Sequence, residues 1–149
     1  FTGIRISVAA ARGLALSLGI PAVGVTATEA AACDAPRPCR AIVALRGDEV
    51  VWQDFPALRA DTQAAFDAGQ EGLPAGRALA RREALPPGPA PCCSPHPLPV
   101  AIALLAGRRV AAAAERVASV DAEIARPAPL YLRPADAAPP RDPPPVILP

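Results

Sequence analysis

The chain has 149 residues, with 15 basic and 14 acidic side chains and a formal net charge of +1. Charges of both signs are interspersed, so composition offers no basic face of the kind that direct nucleic-acid binding requires. Alanine makes up roughly a quarter of the chain, well above ordinary usage, so the 52% hydrophobic fraction overstates the core it can build. Every basic residue is Arg, and Lys, Asn and Met are absent. That is the imprint of GC-rich coding DNA, and it leads to the expectation of a piece without its natural start. The length allows one domain with a modest core.

The first 25 residues, FTGIRISVAAARGLALSLGIPAVGV, predict a helix and then a short strand. Thr2 is the expected N-cap, and Gly19 the expected C′ residue with Pro21 beyond it. Ile4, Val8, Ala11, Ala15 and Leu18 recur at helical spacing, beside a second stripe of Ile6, Ala10, Leu14 and Ser17. Two stripes predict cover on two sides. One side packs on the chain's own sheet; the other lies under a second subunit, which Ala9, Ala10 and Gly13 would let approach closely. The simpler alternative is a helix buried within one domain.

Residues 22–26 read as a short buried strand, and 28–33 as a short helix capped by Thr26 or Thr28 with Glu29 in its first turn. Residues 34–38 contain two prolines and read as a linker. In residues 40–55, RAIVALRGDEVVWQDF, a strand over 41–45 meets a turn at Arg46-Gly47-Asp48 and a returning strand over 49–55. Val50, Trp52 and Asp54 face one way; Glu49, Val51, Gln53 and Phe55 face the other. Trp52 is expected in the core.

Residues 59–67 and 76–85 suggest short helices, the second carrying Arg77, Arg81 and Arg82 on a solvated face. The run PPGPAPCCSPHPLP is a proline-rich linker that places His96 at an exposed turn, with neither the partners of a metal ligand nor those of a catalytic base. Cys33, Cys39, Cys92 and Cys93 fit no disulfide framework and no zinc spacing, and read as free thiols in a reducing compartment. Residues 99–120 return to helix, with Val100, Leu104, Ala111 and Ala114 on the inner face, Leu105 and Ile102 widening it, and Arg108 and Arg109 pointing outward. Gly107 is a candidate kink, and Glu115 and Ser119 are expected outside. A short strand is expected over 128–133, then an extended proline-rich arm over 134–149. No apolar run reaches the roughly 18 residues that span a bilayer.

The opening stretch resembles the TsaB family, in which Phe-Thr-Gly-x-Arg follows a Gly-Pro-Gly turn; Phe1, Thr2, Gly3 and Arg5 match, and Ser7 stands where Gly is common. The hairpin keeps Gly47, Glu49, Val50 and Trp52, but has Val43, Leu45 and Val51 where Asp, Arg and Tyr are usual. APLYLR, residues 128–133, resembles the family's Pro-x-Tyr-x-Arg element. The resemblance covers about the first 55 residues and the last 20 or so. It fails over 56–94, a stretch that a shifted frame in GC-rich DNA or lineage-specific divergence would equally produce.

The resemblance implies an α/β protein of the actin-like ATPase, RNase H-like fold, truncated at its N-terminus. Residues 1–36 would be the second half of the N-terminal lobe, 39–133 the C-terminal lobe with 57–96 divergent, and 134–149 the extended tail. It implies a cytoplasmic, bacterial, non-catalytic scaffold subunit that pairs with TsaD through N-lobe helices and helps form the site for TsaE. Homodimers through related surfaces are implied too. TsaD forms threonylcarbamoyladenosine beside the anticodon of tRNAs that read A-starting codons, so tRNA is reached only indirectly. ATP and a metal belong to the partner subunits, and this subunit needs no cofactor. Thr2, Arg5, Ile6, Ala9, Ala10 and Gly13 are the candidate partner-facing residues. Two alternatives remain. One is a nucleotide-binding transferase or M22-type peptidase of the same superfamily, with Thr2 and Gly3 holding a phosphate at the helix N-terminus. The other is a generic helix-mediated dimerisation module.

Overall fold

A computed structural model describes residues 2–57, 78–116 and 127–132. Helix α1 (Thr2–Leu18) is followed by α2 (Ala27–Ala31) and by strands β1 (Cys39–Ala44), β2 (Glu49–Phe55), β3 (Ala78–Arg81) and β4 (Pro91–Cys92), then α3 (Leu98–Arg116). The sheet order is β3–β2–β1–β4. Three strands form an antiparallel meander, and β4 runs parallel to β1 on its other edge.

The expected hairpin is present. Its register pairs Cys39 with Phe55, Arg40 with Asp54 and Ile42 with Trp52. Leu45 N donates to Glu49 O at 2.9 Å, and Gly47 adopts φ +69° in the turn, a conformation costly for any residue with a Cβ. The alternation then sorts the two faces. Phe55, Gln53, Cys39 and Ala41 face α2 and α3, where the core forms with Ala30, Ala32, Cys33, Ala35, Ala101 and Leu105. Residues on both sides of the expected 1–36 and 39–133 division thus share one core.

The opposite face is organised by a charge. Arg40 is buried; its Nε donates to Asp54 Oδ1 at 2.5 Å and its Nη2 to Oδ2 at 2.7 Å. Its guanidinium lies 4.4 Å from the centroid of Trp52, its Nη1 donates to the Pro86 carbonyl and its Nη2 also to the Pro87 carbonyl. Asp54 raises the pKa of Arg40, against the opposing effect of burial, so its charge is fixed. Trp52 is half-buried and serves as a platform for this guanidinium rather than as part of the apolar core.

Several expectations are corrected. Residues 22–26 form no strand and make no ladder among the described residues. The helix expected over 76–85 is instead β3 followed by a 3-10 turn at Arg82–Ala84. Ala-Leu-Ala-Arg favours a helix locally, but the open edge of β2 offers a full row of backbone partners, and pairing prevails over propensity. The proline-rich linker supplies β4, whose single proline, Pro91, suits an edge strand. The inner face of α3 is Ala101, Leu105, Arg109 and Ala113; Val100, Leu104, Ala111 and Ala114 are exposed. The buried stripe is therefore one residue round from the expected one. The helix runs unbroken through Gly107. The described part of 128–133 is irregular, not a strand. The expectations for 59–67, Arg77, the side chain of Glu115, Ser119, Arg133 and the 134–149 arm lie outside what is described.

Gly88 lies against the buried pair: a Cβ there would fall 2.0 Å from Arg40 Nη2 and 2.6 Å from its Cζ. Gly88→Ala should push the guanidinium off Asp54 and Trp52 and cost about 2–3 kcal/mol. Urea unfolding followed by the fluorescence of the single tryptophan checks this, and an unchanged midpoint would refute the role of the pair.

Candidate functional site

Helix α1 presents the candidate surface. It ends as its sequence predicts: Gly19 has φ +64°, Gly19 N donates to Leu16 O at 3.3 Å, and Ile20 N donates to Ala15 O at 3.0 Å. That pair of bonds is a Schellman termination. At the other end the helix already includes Thr2, so Thr2 sits in the first turn rather than at the cap. Ser7 Oγ donates back to Gly3 O at 3.0 Å.

α1 is apolar over most of its circumference, with Arg5 and Arg12 on one face, yet only Ala15 is buried. Val8, on the same side, is half-buried. Ile4, Ile6, Leu14 and Leu18 are exposed, and Leu16 is 84% exposed. So wide an apolar surface is more usual on a helix that is covered. The candidate partner residues Thr2, Ile6, Ala9, Ala10 and Gly13 share one broad face by helical spacing, and all are exposed. Gly13 has open space around it: an added Cβ would meet nothing within 4 Å. An added Cβ at Gly3 likewise meets nothing within 4 Å. Arg5 differs from the rest of the candidate set. Its Nε donates to Tyr131 Oη at 2.7 Å, and its Cζ lies 5.5 Å from the Tyr131 ring centroid.

Two acidic residues behind this surface tie the chain together. Thr26 caps α2: Glu29 N donates to Thr26 Oγ1 at 3.3 Å, while Thr26 N donates to Glu29 Oε2 at 2.7 Å. This capping box decides between Thr26 and Thr28. Thr28 instead turns into the core, where its hydroxyl donates to Gln53 Oε1 at 2.5 Å. Arg109 is buried, contrary to its expected outward direction. Its Nη2 donates to Glu29 Oε1 at 2.7 Å and its Nη1 donates to the Gly24 carbonyl. Burial opposes the charge on Glu29, but the Thr26 backbone and hydroxyl together with Arg109 outweigh it and hold the carboxyl below its ordinary value.

Asp34, at φ +54°, receives Arg108 through two bonds of 2.9 and 3.1 Å and lies 3.0 Å from His96 Nε2. Arg108, helped by His96, holds the Asp34 carboxyl low against the effect of burial. His96 is thus half-buried on a carboxylate and not at a free turn. The four cysteines are free thiols; burial and the neighbouring Cys39 push the Cys92 thiol up to about 12. Among the described residues no cluster of three His, Cys, Asp or Glu is suited to a metal ion, and no helix is long and apolar enough to cross a membrane.

No family model, no curated protein and no solved structure matches this chain. The site therefore rests on its own geometry.

The Glu29–Arg109 pair carries a pH signature. A carboxyl held below 4.5 contributes stability that is fully present above that value and is lost as the pH falls through the folded-state pKa. Glu29→Gln should cost about 3 kcal/mol at pH 7, because it leaves Arg109 buried without its counter-charge. The gap to wild type should narrow as the pH falls below 4.5 and Glu29 takes up its proton. Chemical unfolding at pH 7 and pH 3.5 checks this, and a gap independent of pH would refute it.

Proposed function

We propose that the chain is a TsaB-like scaffold subunit that pairs with TsaD, with α1 as the partner-facing element. One observation carries this reading. Arg5 and Tyr131 are the residues on which the resemblance rests at the two ends of the chain, one in Phe-Thr-Gly-x-Arg and the other in Pro-x-Tyr-x-Arg. They stand 126 positions apart and make a 2.7 Å hydrogen bond. Their meeting supports the view that both elements belong to one fold and meet there for a reason.

The strand arrangement adds to this. An antiparallel meander with a parallel strand beside its first member agrees with an RNase H-like lobe, and so with the actin-like ATPase reading of residues 39–133. The exposed apolar surface of α1 agrees with a helix that is covered in a larger assembly. On this reading the protein acts in the cytoplasm and itself catalyses nothing. TsaD carries out threonylcarbamoyl transfer to tRNA, TsaE joins through the TsaB–TsaD pair, and ATP and metal stay with those partners. A homodimer through α1 would compete with the heterodimer, since both would use the same face.

Gly13→Leu gives a clean test, because nothing inside the chain lies near that position. The variant should keep or slightly raise its melting temperature, as Leu is the better helix former by about 0.8 kcal/mol. Its affinity for TsaD should fall by about tenfold, the effect of overpacking a close helix contact. Co-purification at the wild-type level would remove this face from the interface. Deletion of the gene should abolish threonylcarbamoyladenosine in digested tRNA, read by mass spectrometry. Normal levels of the nucleoside would rule out the assigned pathway.

A further inference from the structure

Helix α1 has little apolar anchorage of its own: Ala15 is its one buried described residue. The contact that fixes its N-terminal half is polar and comes from the far end of the sequence. Arg5 donates to the Tyr131 hydroxyl and lies over the edge of its ring. Tyr131 is itself held beside the sheet. Leu130, Tyr131 and Leu132 form one wall of a cleft of about 490 Å³ whose other wall is Leu45, Val51 and Leu79, at the hairpin end of β2 and β3. A path of contacts therefore runs from the sheet through Tyr131 to Arg5 and α1.

We propose that Tyr131 is a positioning residue for α1: through Arg5 it fixes the helix against the sheet, and so sets the pose of the face made by Ile6, Ala9, Ala10 and Gly13. The step from this strut to partner binding rests on the reading of α1 as the TsaD-facing helix; the strut itself does not. With so little of α1 buried, this bond ties its N-terminal half to the segment beside the sheet.

Tyr131→Phe keeps the ring and removes the acceptor. Amide hydrogen exchange across residues 4–18 should rise about threefold to tenfold, while exchange in 39–55 stays at its wild-type rate. Arg5→Met should produce the same rise, and the double variant should add nothing to either single change. TsaD affinity should fall in Tyr131→Phe in parallel with the loss of protection. Unchanged exchange in α1, or effects that add in the double variant, would overturn the strut. Full TsaD affinity in a Tyr131→Phe chain whose α1 has loosened would overturn its role in binding. Absence of TsaD binding by the wild-type chain would sink the functional reading, and the exchange data would still decide the strut.

Discussion

Arg109 ties α3 to the residues that lead into α2. It reaches from α3 to the Gly24 carbonyl and the Glu29 carboxylate, and so binds the segment after α1 to the cap of α2. The need for such a clamp follows from composition. The core is built mainly from Ala and Cys around Phe55 and Leu105. A buried methyl gives far less than a buried Leu or Phe, at roughly 25 cal/mol per Å² of apolar area removed from water. Apolar burial alone sets the register of the elements weakly here. Fixed polar contacts supply the rest: Arg109 with Glu29, Arg108 with Asp34, and Arg40 with Asp54. All three use Arg, whose planar fork fits a carboxylate in one geometry.

The same scarcity of large core residues throws α1 into relief. α1 exposes the bulky aliphatic side chains Ile4, Ile6, Leu14, Leu16 and Leu18, and α3 exposes Leu98, Val100, Ile102 and Leu104. A chain whose interior is largely Ala and that shows Ile4, Ile6, Leu14, Leu16 and Leu18 to water presents on α1 an apolar surface of the kind interaction sites carry. The account of α1 as a docking helix, held in position from behind by Tyr131, follows from this imbalance.

What was legible in the sequence was local. Gly19 and Pro21 marked the end of α1, Thr26 was one of two candidate caps of α2 with Glu29 in its first turn, and Arg46-Gly47-Asp48 made the turn of the hairpin; each is specified by residues within about five positions. What failed was decided across the chain. Residues 78–81 became a strand because β2 had an open edge. The stripe on α3 was misplaced by one residue because Arg109 was counted as solvent-facing, when Glu29 draws it inward. His96 looked exposed because its partner, Asp34, lies 62 positions away. For the surface itself, spacing alone placed Ile6, Ala9, Ala10 and Gly13 on one face. The Arg5–Tyr131 contact was not legible, since residues 128–133 read as a strand with no stated partner. The segment that departs from the resemblance still contributes both outer strands of the sheet, so residues 78–92 are structurally integrated whatever their origin.

Site-specific photo-crosslinking from α1 tests the central claim most directly. A benzoylphenylalanine placed at Ala10, and in a separate chain at the exposed Ala44 on the sheet, would be irradiated with TsaD from the same source. The account predicts a TsaD adduct from position 10 and none from position 44. An adduct from position 44 alone, or from neither, would contradict it and return α1 to a surface without an assigned partner.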